Sequence, residues 1–182
     1  MEHSPTARRT KRDAEITAAI FGFFAMAWFG WAQAEPPNWL GPWLVAGSIA
    51  SLLTLVAGVV VTVRHRRDGS AMQDSGTNRR YGIIVGAEFA VAGVGAVVLG
   101  ATGVPQYIPV WIGAVVGVHF FLLAPVLRDR SLHAVGTAVC AVAIAGLVVG
   151  LMGATAPSTV VGAGAGLVLL IAGVTAMLLT SR

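Results

Sequence analysis

Charged residues are scarce in this sequence, and their scarcity excludes an ordinary soluble protein. Only 11% of the 182 residues are charged, 56% are hydrophobic, and the mean hydropathy is +0.79. Soluble domains carry about 25% charged residues, so the composition predicts an all-α integral membrane protein. Six apolar segments approach the ~20 residues that a helix needs to cross a bilayer. They are residues 14–34, 39–63, 81–101, 107–127, 132–153 and 158–180.

Cysteine is nearly absent, which excludes an internal disulfide and any mechanism that needs two thiols of one chain. The single cysteine, Cys140, lies inside the fifth segment. A buried free cysteine behaves as a small hydrophobic residue, so we interpret Cys140 as a packing residue. No cofactor is expected, and no metal either, because His119 has no second His, Cys or Asp at ligand spacing.

Three of the loops between segments, AEPPN, ATGVPQ and GATAP, contain no Lys or Arg. Basic residues accumulate on the cytoplasmic side of membrane proteins, so we expect three antiparallel hairpins with both termini cytoplasmic. This placement also argues against a nucleic-acid partner, despite a net charge of +4 and a pI of about 10.2. Five tryptophans, at 28, 31, 39, 43 and 111, are expected to form a belt at the outer interface. All twelve basic residues fall on the other side: Arg8, Arg9, Lys11, Arg12, Arg64, Arg66, Arg67, Arg79, Arg80, Arg128, Arg130 and Arg182.

The chain divides into a basic cytoplasmic tail, residues 1–13, and one membrane domain, residues 14–182. Residues 65–80 are rich in Gly, Ser, Asn and charge and are expected to form a cytoplasmic linker. The first segment, with Ala32-Gln33-Ala34 at its end, also matches a cleavable signal peptide. Its apolar stretch is long for that role, and removal would leave five segments, so we expect a retained helix.

Glu88 and His119 lie deep inside adjacent apolar segments that a short loop joins. Glu88 is seven residues from the start of its segment, and His119 is about as far from the end of the next. At roughly 1.5 Å per residue, both lie about 10 Å below the same membrane face. An ionisable residue in hydrocarbon indicates a functional site, and we predict that the two side chains pair. His133, near the start of the fifth segment, is expected to be interfacial.

Three functions are compatible with this pair. The first is a proton-linked transporter or channel subunit, in which Glu88 and His119 form the path, since imidazole exchanges protons near neutral pH. The second is a structural or accessory protein that binds a partner or lipid, in which the pair fastens two helices. The third, an intramembrane enzyme acting on a lipid or isoprenoid, is the least favoured, because the six segments contain no Asp, Asn, Lys or Arg. The chain is therefore not expected to be an enzyme.

Glycines spaced four apart, such as Gly113 and Gly117, indicate close packing between membrane helices. Gly86 and Gly93 continue such a stripe along the third segment. A step of two residues turns a helix by about 200°, so Glu88 and His119 should face away from Gly86 and Gly117. We therefore predict packing roles for Gly86, Gly93, Gly113 and Gly117. Because glycine stripes occur on several faces, a homo-oligomer or another membrane partner is also expected.

The outer turns EPPNWLGPW, GVPQYIPVW and TAPSTVVGA each place a proline before a helix that returns through the membrane, as in an internal repeat. This pattern, with the Gly, Pro and aliphatic spacing of residues 136–180, resembles the small six-span membrane proteins of the HdeD type. The resemblance implies a multi-pass protein of the bacterial cytoplasmic membrane. It assigns no role to any residue of this chain.

Overall fold

The computed structural model describes residues 11–64 and 75–180. Within these ranges the chain is helical, without β-strands, and all six α-helices are long and apolar enough to cross a membrane. The predicted all-α membrane fold is confirmed at this level. The helices are α1 (Lys11–Ala32), α2 (Gly41–Arg64), α3 (Ser75–Ala101), α4 (Ile108–Leu127), α5 (Ser131–Leu151) and α6 (Pro157–Thr180).

The helix boundaries lie within a few residues of the predicted segments, with the largest difference at α3. This helix begins at Ser75, so residues 75–80 of the predicted linker are helical. Arginine favours helices, and exposed Arg79 and Arg80 extend α3 beyond its apolar part. The rest of that linker, and residues 1–10 of the predicted basic tail, lie outside the described residues.

Prolines and left-handed residues mark the turns between helices. A 3-10 turn, Pro105–Tyr107, leads directly into α4, and Pro157 is the first residue of α6, where its missing N–H costs no helical bond. At the other end of α4, Arg128 adopts a left-handed conformation with φ of 51°. This conformation is a common helix terminus and turns the chain toward α5.

Helices α1 and α2 meet in reverse residue order, so these two helices run antiparallel. A Cβ atom on Gly22 would lie 2.6 Å from the Leu55 backbone nitrogen, and one on Gly58 would lie 2.7 Å from the Ala19 nitrogen. Glycine permits this direct contact of the α1 and α2 backbones. We call the end of the bundle where α1 begins and α6 ends the terminal end, and the opposite end the distal end.

The helices form a row in space, in the order α2, α1, α6, α5, α4 and α3. The core lies in the middle of the row, where α1, α4, α5 and α6 bury apolar side chains against one another. Helix α3 lies at one end and packs mainly on α4 and on the turn that precedes it. The largest core side chains are Phe21, Trp28, Phe120, Leu123, Val139, Val161 and Leu169.

The tryptophans divide between surface and core. Trp39 and Trp43 are each 71% exposed, as a membrane-interface belt requires. Trp28 is buried and stacks on Trp31 at a centroid distance of 5.6 Å. The predicted belt is therefore wrong for Trp28, which faces α4 and α6 from the inner side of α1 and belongs to the core.

Candidate functional site

The predicted pairing of Glu88 and His119 occurs in the structure. Oε2 of Glu88, on α3, lies 3.0 Å from Nδ1 of His119, on α4. The two side chains retain 15% and 9% of their accessible surface. The antiparallel course of the two helices and the matched depth of the two residues bring them together. A carboxyl group and an imidazole this close can share one proton, either as an acid beside a neutral base or as an ion pair.

The Glu88–His119 contact is close but poorly aligned. Nδ1 of His119 is buried and has no hydrogen-bond partner of acceptable geometry among the described residues. At 3.0 Å the distance is suitable, so the carboxylate oxygen must lie off the direction of the ring N–H. The His119 ring also contacts Phe120 edge-on, at 5.8 Å between centroids. The pair is therefore in contact without a well-formed hydrogen bond holding it in place.

On the terminal side of the pair, α3 presents Tyr81 and Ile84 toward the core. Residues 81, 84 and 88 follow the spacing that keeps side chains on one helix face. Tyr81 is half-buried. The terminal side of the site therefore contains a hydroxyl group on the helix face that carries Glu88.

On the distal side, α3 and α4 are joined by Trp111. Its indole ring lies against Gly95 where a Cβ atom would overlap it, and its Nε1–H donates to the Val91 carbonyl at 3.2 Å. Ala92, one turn beyond Glu88, is buried. An apolar groove of about 510 Å³ runs beside Trp111 and is lined with no ionisable side chain. The distal side of the site is thus lined by apolar side chains.

The opposite face of α4 contains the predicted packing glycines. A Cβ atom on Gly117 would overlap Sγ of Cys140 on α5, and one on Gly113 would lie 3.0 Å from a Val161 methyl on α6. His119 therefore faces α3 while Gly113 and Gly117 face the core. Half-buried Cys140 fills the space that Gly117 leaves, as a packing residue would.

The corresponding glycines of α3 have no such neighbours. No atom of the described residues lies within 4 Å of a Cβ placed on Gly86 or Gly93. The prediction that these two glycines pack against a neighbouring helix is wrong within one copy of the chain. The reason is position, because α3 ends the row and turns its glycine face away from α4. Its contact glycine is instead Gly95.

Two further residues lie on α4 and α5. His133 is exposed at the start of α5, and its ring lies 5.9 Å from that of Phe121. Pro125 lies inside α4 and has no N–H, so it cannot donate to the Phe121 carbonyl. A backbone acceptor is thus left without its usual helical donor less than one turn from His119.

Two other buried hydroxyl groups, both on α2, are satisfied within their own helix. Ser51 donates to the Gly47 carbonyl at 2.7 Å, and Thr54 donates to the Ala50 carbonyl at 2.9 Å. Such back-bonding is ordinary for hydroxyl groups in membrane helices. In the part of the chain that the structure describes, no three His, Cys, Asp or Glu side chains are grouped as a metal site would require.

Sequence reasoning missed Tyr81 and Trp111 as neighbours of the pair. Tyr81 lies seven residues before Glu88 and Gly95 lies seven after it, a spacing that keeps all three near one face of a helix. Applying that spacing outward from Glu88 would have identified Tyr81 and Gly95, the glycine that Trp111 contacts. Comparison of the chain with protein-family models, with curated proteins and with solved structures found no match.

Proposed function

We propose that this protein is a proton-linked transporter or channel subunit in which Glu88 and His119 carry the proton. The observation that supports this most is the 3.0 Å contact between a carboxyl group and an imidazole inside apolar helices. An unpaired charge there would cost several kcal/mol. Two side chains that share one proton avoid that cost, and the pair can still accept a second proton.

The poor alignment of the contact between Glu88 and His119 favours a pair that transfers protons over a pair that only joins two helices. A pair with only a structural role stabilises the protein most when it forms a short, linear, charge-assisted hydrogen bond. His119 lacks such a bond at Nδ1, so a small rotation of either side chain can redistribute the proton. The Phe121 carbonyl, which Pro125 leaves without a helical donor, is a nearby acceptor for water.

The orientation follows from the charges. We propose that the terminal end, which carries Arg79, Arg80, Arg128 and Arg130, faces the cytoplasm of a bacterial cell. The chain would act within the lipid bilayer. We also expect it to act as a homo-oligomer, because the open glycine face of α3 would allow a second helix to approach closely.

Proton flux in liposomes tests this function. The purified chain would be reconstituted with a trapped pH-sensitive dye, and flux would be driven by a potassium diffusion potential. Glu88→Gln keeps the shape of the side chain but cannot release a proton, so flux should fall to the level of empty liposomes. The matched control is Glu35→Gln, the same change at an exposed residue of the α1–α2 loop, which should leave flux unchanged. Flux in Glu88→Gln equal to that of the unaltered chain would refute the proposal.

A second candidate is a structural role, since α3 packs mainly on α4 and the pair helps to join the two helices. In that case Glu88→Gln would be tolerated, and Glu88→Leu combined with His119→Leu would preserve or increase stability, as replacement of buried ion pairs can. Measuring thermal unfolding in detergent alongside flux separates the two roles.

A further inference from the structure

The two ends of the α3–α4 interface differ in chemistry. From Phe89 to Ala101, α3 contains no side chain that can bind or release a proton, and neither does α4 from Ile108 to Val118. On the terminal side of Glu88, the same face of α3 carries Tyr81, and exposed Arg79 and Arg80 follow at the helix start. Toward the terminal end an ionisable side chain, Tyr81, lies seven residues from Glu88, whereas toward the distal end the first one, Tyr107, precedes α4 and lies twelve residues from His119.

Packing reinforces this difference. Between Glu88 and the distal end, Ala92 is buried. The Trp111 indole occupies the space that Gly95 leaves, and its N–H donates to the Val91 carbonyl. The indole therefore occupies the space between α3 and α4 at the level of Gly95. Toward the terminal end, Ile84 and Val85 are half-buried, so neither side chain is fully enclosed.

We propose that the Glu88–His119 pair exchanges protons with the terminal side of the membrane, past Tyr81 and Ile84, and that Trp111 on Gly95 closes its distal side. Tyr81 is then a positioning residue, because its neutral hydroxyl can accept one hydrogen bond from water and donate another toward the carboxyl group. The role of the pair rests on the proposed function, but the direction of access does not.

Cysteine labelling from each side of the membrane tests the direction of access. In a Cys140→Ala background, single cysteines would replace Ile84 and Ala92, which lie on either side of Glu88. A charged, membrane-impermeant methanethiosulfonate would be added to sealed vesicles of each orientation. Ser75→Cys, at the first residue of α3, defines the terminal side. If Ile84→Cys does not fold, as judged by thermal unfolding, Val85→Cys replaces it.

Ile84→Cys should react with reagent added on the side that labels Ser75→Cys, and neither test cysteine should react with reagent added only on the distal side. Reaction of either one from the distal side would overturn the proposal. If Ile84→Cys does not react with reagent added on the terminal side, the proposal is overturned as well.

Tyr81→Phe tests the hydroxyl group. Proton flux should fall several-fold, while labelling of Ile84→Cys and the unfolding temperature stay unchanged, because phenylalanine keeps the ring and its packing. Unchanged flux would exclude a positioning role for Tyr81. If flux does not depend on Glu88 at all, the proposed function fails but the labelling result stands. If flux depends on Glu88 and labelling occurs from the distal side, only the access proposal fails.

Discussion

Helices α3 and α4 carry the same short pattern and use it differently. Each has two glycines four residues apart and an ionisable residue two positions after the second, ending at Glu88 in α3 and at His119 in α4. In both helices the ionisable side chain faces the other helix. The glycines differ, because those of α4 pack on α5 and α6, whereas no atom of the described residues lies within 4 Å of a Cβ placed on Gly82 or Gly86 of α3.

The difference arises from the position of each helix in the row. Helix α4 lies between α3 and α5, so both of its faces are covered by protein. Helix α3 lies at the end, and only the face with Tyr81, Glu88 and Gly95 meets a neighbour. A glycine stripe therefore permits close packing of a second helix, but it does not show that this helix belongs to the same chain. An ionisable side chain within the membrane, by contrast, requires a polar partner.

The largest effect should come from filling the glycine contact of α4. Gly117→Leu would push a side chain into Cys140 and toward the Gly136 carbonyl, where even a Cβ atom has no room. Overpacking of this kind typically costs about 1–3 kcal/mol, so the free energy of unfolding should fall by that amount. Thermal or denaturant unfolding in detergent would measure it. An unchanged free energy of unfolding would mean that α4 and α5 are farther apart than the structure shows.

Much of the framework could be predicted from the sequence because it depends on local rules. Segment length and hydropathy predicted six helices, and the matched depth of two residues predicted the Glu88–His119 contact. The order of the helices in the row could not be predicted, since every helix is apolar around most of its surface. Without that order, the buried face of α3 and the contact between Trp111 and Gly95 could not be assigned. The helical start at Ser75 was not predicted, because a segment rich in Gly, Ser, Asn and charge is typical of a loop.

A smaller effect should come from uncoupling the pair that α3 and α4 do share. In a double-mutant cycle with Glu88→Leu and His119→Leu, the coupling free energy should be about 0.5–1.5 kcal/mol, the range found for polar contacts between membrane helices. The poor alignment at Nδ1 argues for the lower part of this range. Unfolding in detergent provides the four values of the cycle. A coupling near zero would show that α3 is held to α4 by Trp111 and apolar packing alone.

The smallest effect on the single chain should come from filling the glycine face of α3. Gly93→Leu places a side chain where no described atom lies within 4 Å, so the free energy of unfolding in detergent should change by less than about 0.5 kcal/mol, as at other sites without specific contacts. In native membranes the same change should reduce crosslinking between copies, because a larger side chain keeps a second helix away from the glycines. Val94→Leu, at a neighbouring position that is already 66% exposed and not glycine, is the matched control. If Gly93→Leu leaves crosslinking between copies unchanged, this face of α3 contacts lipid, and Gly86 and Gly93 differ from Gly113 and Gly117 of α4 in packing against no protein.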